Sequence, residues 1–244
     1  MKIEHRETKD NNIVQITTLD ERWYMNKSTK ICYPSSTWIA SYYPKGFAFY
    51  KWLASKGWDE SIAIKEAAGN RGSKVHQALD FYESAKEINM NDCFNNQNGQ
   101  AEELTIEEWE AIISFDRWHK SINPELIMNE QVVWNDEHKY AGTLDRLYKI
   151  DGEIWVVDFK TSQQIWPEHE IQLSSYAYAI KPLFPKVKLA ILQLGYKRNK
   201  NEYKFTEIED KFDLFLHAKA IWEHENPEAK PKQKDYPEIL KLVA

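Results

Sequence analysis

AGTLDRLYKIDGEIWVVDFKTS, residues 141–162, decides the fold. It reads as two apolar strands around an Asp-Gly pair, and that dipeptide specifies a two-residue hairpin of type I′, because both central residues must take positive φ. With Asp151 and Gly152 as the turn, Ile150 faces Glu153, Lys149 faces Ile154 and Tyr148 faces Trp155. After three further pairs Asp145 stands opposite Asp158. Directly opposed side chains lie roughly 5 Å apart, where like charges repel. At an effective dielectric of about 20 the repulsion is on the order of 3 kcal/mol. A purely structural hairpin gains nothing from it. A divalent cation turns it into coordination, since magnesium takes oxygen ligands and is held by one or two carboxylates together with phosphate oxygens.

Side-chain alternation places Lys160, two positions beyond Asp158, on the same face. If EQVVW (130–134) forms the preceding hairpin through NDEH (135–138), Trp134 pairs with Lys139 and Glu130 falls opposite Thr143, again on that face. Glu130, Asp145, Asp158 and Lys160 then form a set of three carboxylates and an amine. Such a set suits hydrolysis of a phosphodiester by water activated at a divalent cation, with the amine orienting that water or stabilising charge on the phosphoryl oxygens. An Asp-x-Lys tripeptide is common and fits a solvent-facing strand equally well. Its weight comes from lying in an apolar strand, preceded at the matching distance by GTLD.

Outward from the hairpin, residues 33–87 are helical in pattern, with a break expected around Gly69 and Gly72 ahead of GSKVHQALDFYES (72–84). An asparagine-rich loop (89–100) precedes TIEEWEAIISFDRWHKSI (105–122), where Thr105 and Glu108 make a capping box and Pro124 marks the end. HEIQLSSYAYAIKPL (169–183) returns to helical spacing, KLAILQLGYKR (188–198) and YKFTEI (203–208) are strands, and EDKFDLFLHAKAIWEHE (209–225) closes with an amphipathic helix. The tail, with Pro227, Pro231 and Pro237, is irregular. The interleaving predicts one α/β domain around a central mixed sheet flanked by helices. Its parts are an N-terminal extension (1–32), a mainly helical part (33–125), the sheet core (126–208) and a C-terminal helix and tail (209–244).

At 244 residues and 42% hydrophobic content the chain can bury one substantial core. Cys32 and Cys93 are the only cysteines, too few for a disulfide framework or a four-cysteine cluster, and they point to a reducing cytoplasm. The charged start MKIEHRETKDNN and the lack of an apolar run near about eighteen residues predict a soluble chain with no membrane partner. A net charge of -6 argues against wrapping nucleic acid by bulk electrostatics, but a local basic track is compatible with it. KRNKNEYK (197–204) and the Arg71 to Lys74 region are the candidate tracks.

In order along the chain, the helix histidine of GSKVHQAL, GTLD, VVDFKTS and QLSSY resemble the RecB-like branch of the PD-(D/E)XK nuclease superfamily, over residues 33–196. RWY, YPSSTWI and RGSKVH are similar to mitochondrial genome maintenance exonucleases and related phage exonucleases. The resemblance implies a restriction-endonuclease-like core with a helical N-terminal elaboration. It implies His76, Asp145, Asp158 and the Phe159 carbonyl as metal ligands, Lys160 as the catalytic lysine, and Gln172 and Tyr176 as a pair near the site. Helical spacing agrees for the last two, which lie four residues apart, and places His169 on the same face. The chain lacks the four cysteines that bind an iron-sulfur cluster in some relatives and any phosphate-binding helicase loop, so it is expected to be cluster-free and to use Mg2+ or Mn2+.

Ser35 and Ser36, Arg71 and Lys74, and Thr161 and Ser162 are expected DNA contacts. Trp38, Tyr42, Tyr43, Phe47 and Tyr50 could roof the cleft, unpaired bases stacking on such rings. The leading expectation is a metal-dependent DNA exonuclease on single strands or duplex ends, in a bacterial cytoplasm or phage-encoded. A replication or recombination protein partner is compatible with this, and the oligomeric state stays open. A non-catalytic nucleic-acid-binding or partner-recruiting module and a structure-specific endonuclease are the alternatives.

Overall fold

The computed structural model describes residues 4–10, 12–18 and 21–231. The chain opens with a four-stranded antiparallel meander: β1 (Glu4–Glu7), β2 (Ile13–Thr17), β3 (Arg22–Asn26) and β4 (Cys32–Pro34), in that spatial order. Residues 1–32 had read as an extension, so this sheet is new. One of its faces carries Val14, Ile16 and Trp23 into a core with helices from elsewhere in the chain.

Three helices follow: α1 (Ser36–Ala40), α2 (Phe47–Lys56) and α3 (Trp58–Ala85). The expected break at Gly69 and Gly72 is absent, and α3 runs through both. The chain breaks instead at Gly57, whose φ of +76° a side chain would disfavour. Two interior glycines cost about 1 kcal/mol each against alanine, and the buried stripe of Val75, Ala78 and Leu79 offsets that. At Gly69 a Cβ would meet the Gln97 side chain, so the position serves close approach of the next loop. That loop, read as irregular, forms a small hairpin of β5 (Cys93–Asn95) and β6 (Ala101–Glu103). The capping box at Thr105 and Glu108 starts α4 (Ile106–Ile122), and Asn123, at φ +50°, ends it before Pro124.

The central sheet is mixed, in the order β11-β10-β9-β8-β7. Its strands are β7 (Glu125–Asn135), β8 (Tyr140–Ile150), β9 (Glu153–Lys160), β10 (Lys188–Leu194) and β11 (Tyr203–Ile208). Between β9 and β10, the one parallel pair in it, the chain crosses over through α5 (Pro167–Ile180). The helix α6 (Phe212–Glu225) completes the described elements. Along β8 and β9, Tyr148, Trp155, Val157 and Phe159 face α3 and α4, while Leu147 and Val156 face α5. A sheet covered on both faces explains why these strands are apolar nearly throughout. Among the described residues no helix is long and apolar enough to cross a membrane. Pro237 and the rest of the tail from 232 lie outside the described residues.

Candidate metal centre

The Asp-Gly turn forms as read, with φ of +50° at Asp151 and +84° at Gly152, and pairing runs from Ile150 with Glu153 to Arg146 with Val157. There it stops. The next rung is made by a side chain: the Phe159 N–H donates to Asp145 Oδ2 at 2.8 Å. Asp145 thus wedges between strands that part, and the parting opens the end of the sheet to a cleft of about 370 Å³.

β7 supplies the third carboxylate in a register different from the expected one. Trp134 pairs with Ala141, and Gln131 and Asn129 pair with Leu144 and Arg146, so Glu130 sits between them opposite Asp145. The slip from the expected partner Thr143 is two residues, and an even slip keeps a side chain on its face. The physical cause is the turn, which has the expected four residues but lies one residue further on, at 136–139, where Lys139 takes φ +50°. Glu130 itself has φ +46°, in the left-handed region.

His76 reaches this point from α3. Its Nε2 lies 3.1 Å from the Phe159 carbonyl oxygen. A carbonyl only accepts, so Nε2 carries the proton in this contact, and Nδ1 is turned toward Glu130 Oε1 and Asp145 Oδ1, 3.6 Å from each. One ligand atom from each of His76, Glu130 and Asp145 lies within 4.8 Å of the others. A histidine that donates its other ring nitrogen to a backbone carbonyl is the usual arrangement at a metal. Without a cation, burial pulls the His76 pKa down, but the Asp145 and Glu130 carboxylates outweigh it and lift the imidazole to about 9.

Asp158, only 2% exposed, adjoins this trio. Its Oδ2 has no hydrogen-bond partner, although Lys160 Nζ stands 2.5 Å away as an ion pair. Burial pushes the Asp158 carboxyl above its ordinary range; the Lys160 ammonium pulls it back and the Asp145 carboxylate pushes it up again. Burial works against the Lys160 ammonium, yet Asp158 and Asp145 hold its pKa above the ordinary value. A buried carboxylate met by the Lys160 ammonium, beside a histidine and two more carboxylates, fits a divalent cation with mixed oxygen and nitrogen ligands. Phe159, expected as a ligand through its carbonyl, spends one lone pair on His76 and keeps the other.

Gln172 and Tyr176 meet as their spacing on α5 implies: Gln172 Nε2 donates to Tyr176 Oη at 2.6 Å and to Thr37 Oγ1 at 2.7 Å. The Tyr176 ring lies against Gly142, where a Cβ would come within 2.3 Å of it. His169 sits near Lys160, and burial followed by that ammonium lowers it to about 4, so it is neutral.

Several residues expected to contact DNA have partners within the fold. Lys74 is 3% exposed, held by Glu108 at 2.8 Å and Glu102 at 3.4 Å, because its place on α3 points it under the α4 N-terminus. Ser35 caps α1 by accepting from the Trp38 N–H, and Ser36 donates to the Ala141 carbonyl; both are buried. Arg71 pairs with Glu107 at 3.1 Å and reaches Thr161 Oγ1 at 3.5 Å, while Ser162 donates to the Gln164 carbonyl. Of the proposed aromatic roof, Phe47 and Tyr50 are exposed, whereas Trp38 packs edge-on against Trp23 and Trp222.

Two features escaped the sequence. Arg146, fully buried, donates to Glu83 at 2.5 Å and to Glu130 at 3.3 Å, and Tyr148 donates to Glu83 at 2.6 Å. Glu83 lies seven residues after His76, one helical face, which is the signal that could have found it. The second is the N-terminal sheet, whose Arg6, Gln15, Arg22 and Tyr24 line the same cleft as the carboxylates.

No curated protein matches the chain at a significant level. The solved crystal structure of SSO0001 is similar over 67% of this chain and 77% of that chain, at 12% identity and a TM-score of 0.32, a level that leaves the fold to the strand order itself. The family model matches residues 48–237, a span that takes in His76 and all the strands of the central sheet, and the chain therefore belongs to the PD-(D/E)XK nuclease superfamily of metal-dependent nucleases.

Proposed function

We propose that the protein is a deoxyribonuclease that uses Mg2+ or Mn2+ to hydrolyse phosphodiesters, acting as an exonuclease on single-stranded DNA or on duplex ends. The observation that carries this reading is the convergence of His76, Glu130 and Asp145 in one open cleft that the buried Asp158 and its partner Lys160 also line. His76 and the three carboxylates would hold the cation, which supplies Lewis-acid polarisation of a phosphoryl oxygen and a lowered pKa for attacking water. The nitrogen ligand favours Mn2+ in affinity while the carboxylates accept Mg2+. Lys160 keeps its proton and presents a positive charge where negative charge develops on the phosphoryl group. Arg146, anchored on Glu83, fixes Glu130 from behind. Gln172 holds the Tyr176 hydroxyl at the cleft wall.

A volume of about 370 Å³ is of small-molecule size. The test is cleavage of end-labelled single-stranded DNA with Mn2+, wild type beside Asp158→Asn. Wild-type cleavage with a loss of about 100-fold or more in the variant is expected; equal cleavage by both rejects the site. Covalently closed single-stranded circles should survive, and their cleavage would overturn the exonuclease reading.

A further inference from the structure

We infer that the N-terminal sheet is the substrate-binding wall of this nuclease, with Arg6 and Arg22 gripping the phosphate backbone of the strand presented to the metal centre. This rests on the reading above.

The sheet is attached to the site by a specific bond: Tyr24 Oη lies 3.0 Å from Thr143 Oγ1, and Thr143 is two residues before Asp145 on β8. From Tyr24 a cross-strand row runs outward, Tyr24 opposite Gln15 and Gln15 opposite Arg6. Arg22, two residues before Tyr24, shares its face. The other face carries Val14, Ile16 and Trp23 into the core. On the arginine face Ile13, Tyr24 and Tyr33 pack against Val132 and Ala141 of the central sheet, and the exposed Arg6 and Arg22 lie beyond that packed part. This face lines the cleft together with His76, Asp145 and Asp158.

Charge distinguishes these two arginines from their neighbours. Lys9 is tied to Asp80 at 3.1 Å and Lys27 to Glu7 at 2.6 Å. Among the described residues Arg6 and Arg22 have no ion pair and no side-chain hydrogen bond, and both are exposed. They line the same cleft as the Glu130, Asp145 and Asp158 carboxylates and form no ion pair with them. A cation at the carboxylates would still leave the entering polyanion to be neutralised on its far side. A guanidinium suits that task, since its planar fork binds phosphate oxygens in pairs. Two strand spacings of about 4.8 Å and two residues of about 3.4 Å set the two Cα atoms on the order of 12 Å apart, enough to meet separate phosphates. Contacts of this kind carry no base information and lower affinity as salt rises.

The experiment compares wild type, Arg6→Gln, Arg22→Gln and the double variant, with Lys120→Gln on the exposed face of α4 as control. Binding of a fluorescent single-stranded oligonucleotide is followed by anisotropy in Ca2+ over a salt series, and cleavage in Mn2+ by steady-state kinetics. Each arginine variant should weaken binding by about 3- to 10-fold and reduce the log-log salt slope by about 0.7. KM should rise with kcat retained, and Lys120→Gln should change neither. Unfolding midpoints equal to wild type exclude a folding explanation. An unchanged slope and KM in the double variant, with wild-type cleavage intact, overturns the wall but leaves the nuclease. A slope change as large in Lys120→Gln also overturns it, assigning binding to diffuse charge. A wild type that neither binds nor cuts overturns both readings.

Discussion

Glu130 shows how much a single residue can be asked to do. It holds φ +46° in a strand, where a residue with a Cβ pays on the order of 1–2 kcal/mol. Burial opposes its ionisation, but His76 and Arg146 keep its pKa below the ordinary value. Strain of this kind persists where surrounding contacts over-determine a conformation, and it clusters at functional sites. His76 makes the site's pH response predictable. Its folded value of about 9 lies above the ordinary 6.5, so in metal-free protein the stabilisation from its ion pairs is complete below about 6.5 and is lost as pH rises through 9. Thermal unfolding in EDTA should therefore show a midpoint that falls between pH 6.5 and 9, with the fall reduced in His76→Asn. Mn2+ needs the deprotonated ring, so its apparent affinity should rise over the same range. A midpoint that climbs with pH in EDTA would contradict the assigned pairing.

Among the elements, α5 and β8 depend on one close approach. Gly142 has no side chain because the Tyr176 ring occupies that space, and the Tyr176 hydroxyl in turn accepts from the Gln172 amide. Gly142→Ala should cost about 1–3 kcal/mol through overpacking. It should also lower cleavage by moving Tyr176 from the cleft wall. Denaturant unfolding and the Mn2+ assay check the two effects, and unchanged stability would mean that the helix shifts freely. The elements also show where reading a sequence succeeds. Thr105 and Glu108 announce α4, and Asp151-Gly152 announces the β8–β9 hairpin, because capping and turn geometry are settled within a few residues. The glycines of α3 mislead for the opposite reason: their local preference is overridden by the apolar stripe that the helix buries against the sheet.

For the whole molecule, the cleft exists because two sheets meet. The meander adds Val14, Ile16 and Trp23 to a core with Ile39, Tyr140, Phe215 and Trp222, and so seals one flank of the central sheet. Deleting residues 1–34 should expose that cluster, bring strong binding of a hydrophobic dye and lower the unfolding midpoint; a truncated chain with the wild-type midpoint would show the meander to be dispensable. The meander was illegible in the sequence because its strands are only three to five residues long and their apolar positions do not alternate, both faces being partly buried. RETKD and NKSTK look like ordinary solvated chain until a partner sheet gives each face a side.

The sequence by itself determined the hairpin, the two aspartates brought to the end of one pair of strands, the lysine beside them and the helix carrying Gln172 and Tyr176. These follow from side-chain alternation and turn chemistry over a handful of residues. Tertiary structure alone decided that α3 carries His76 to Glu130 and Asp145, that Lys74 is buried under α4, and that Arg6 and Arg22 line the cleft. Those outcomes depend on which distant segments pack together and in what register, and no short stretch of chain encodes that.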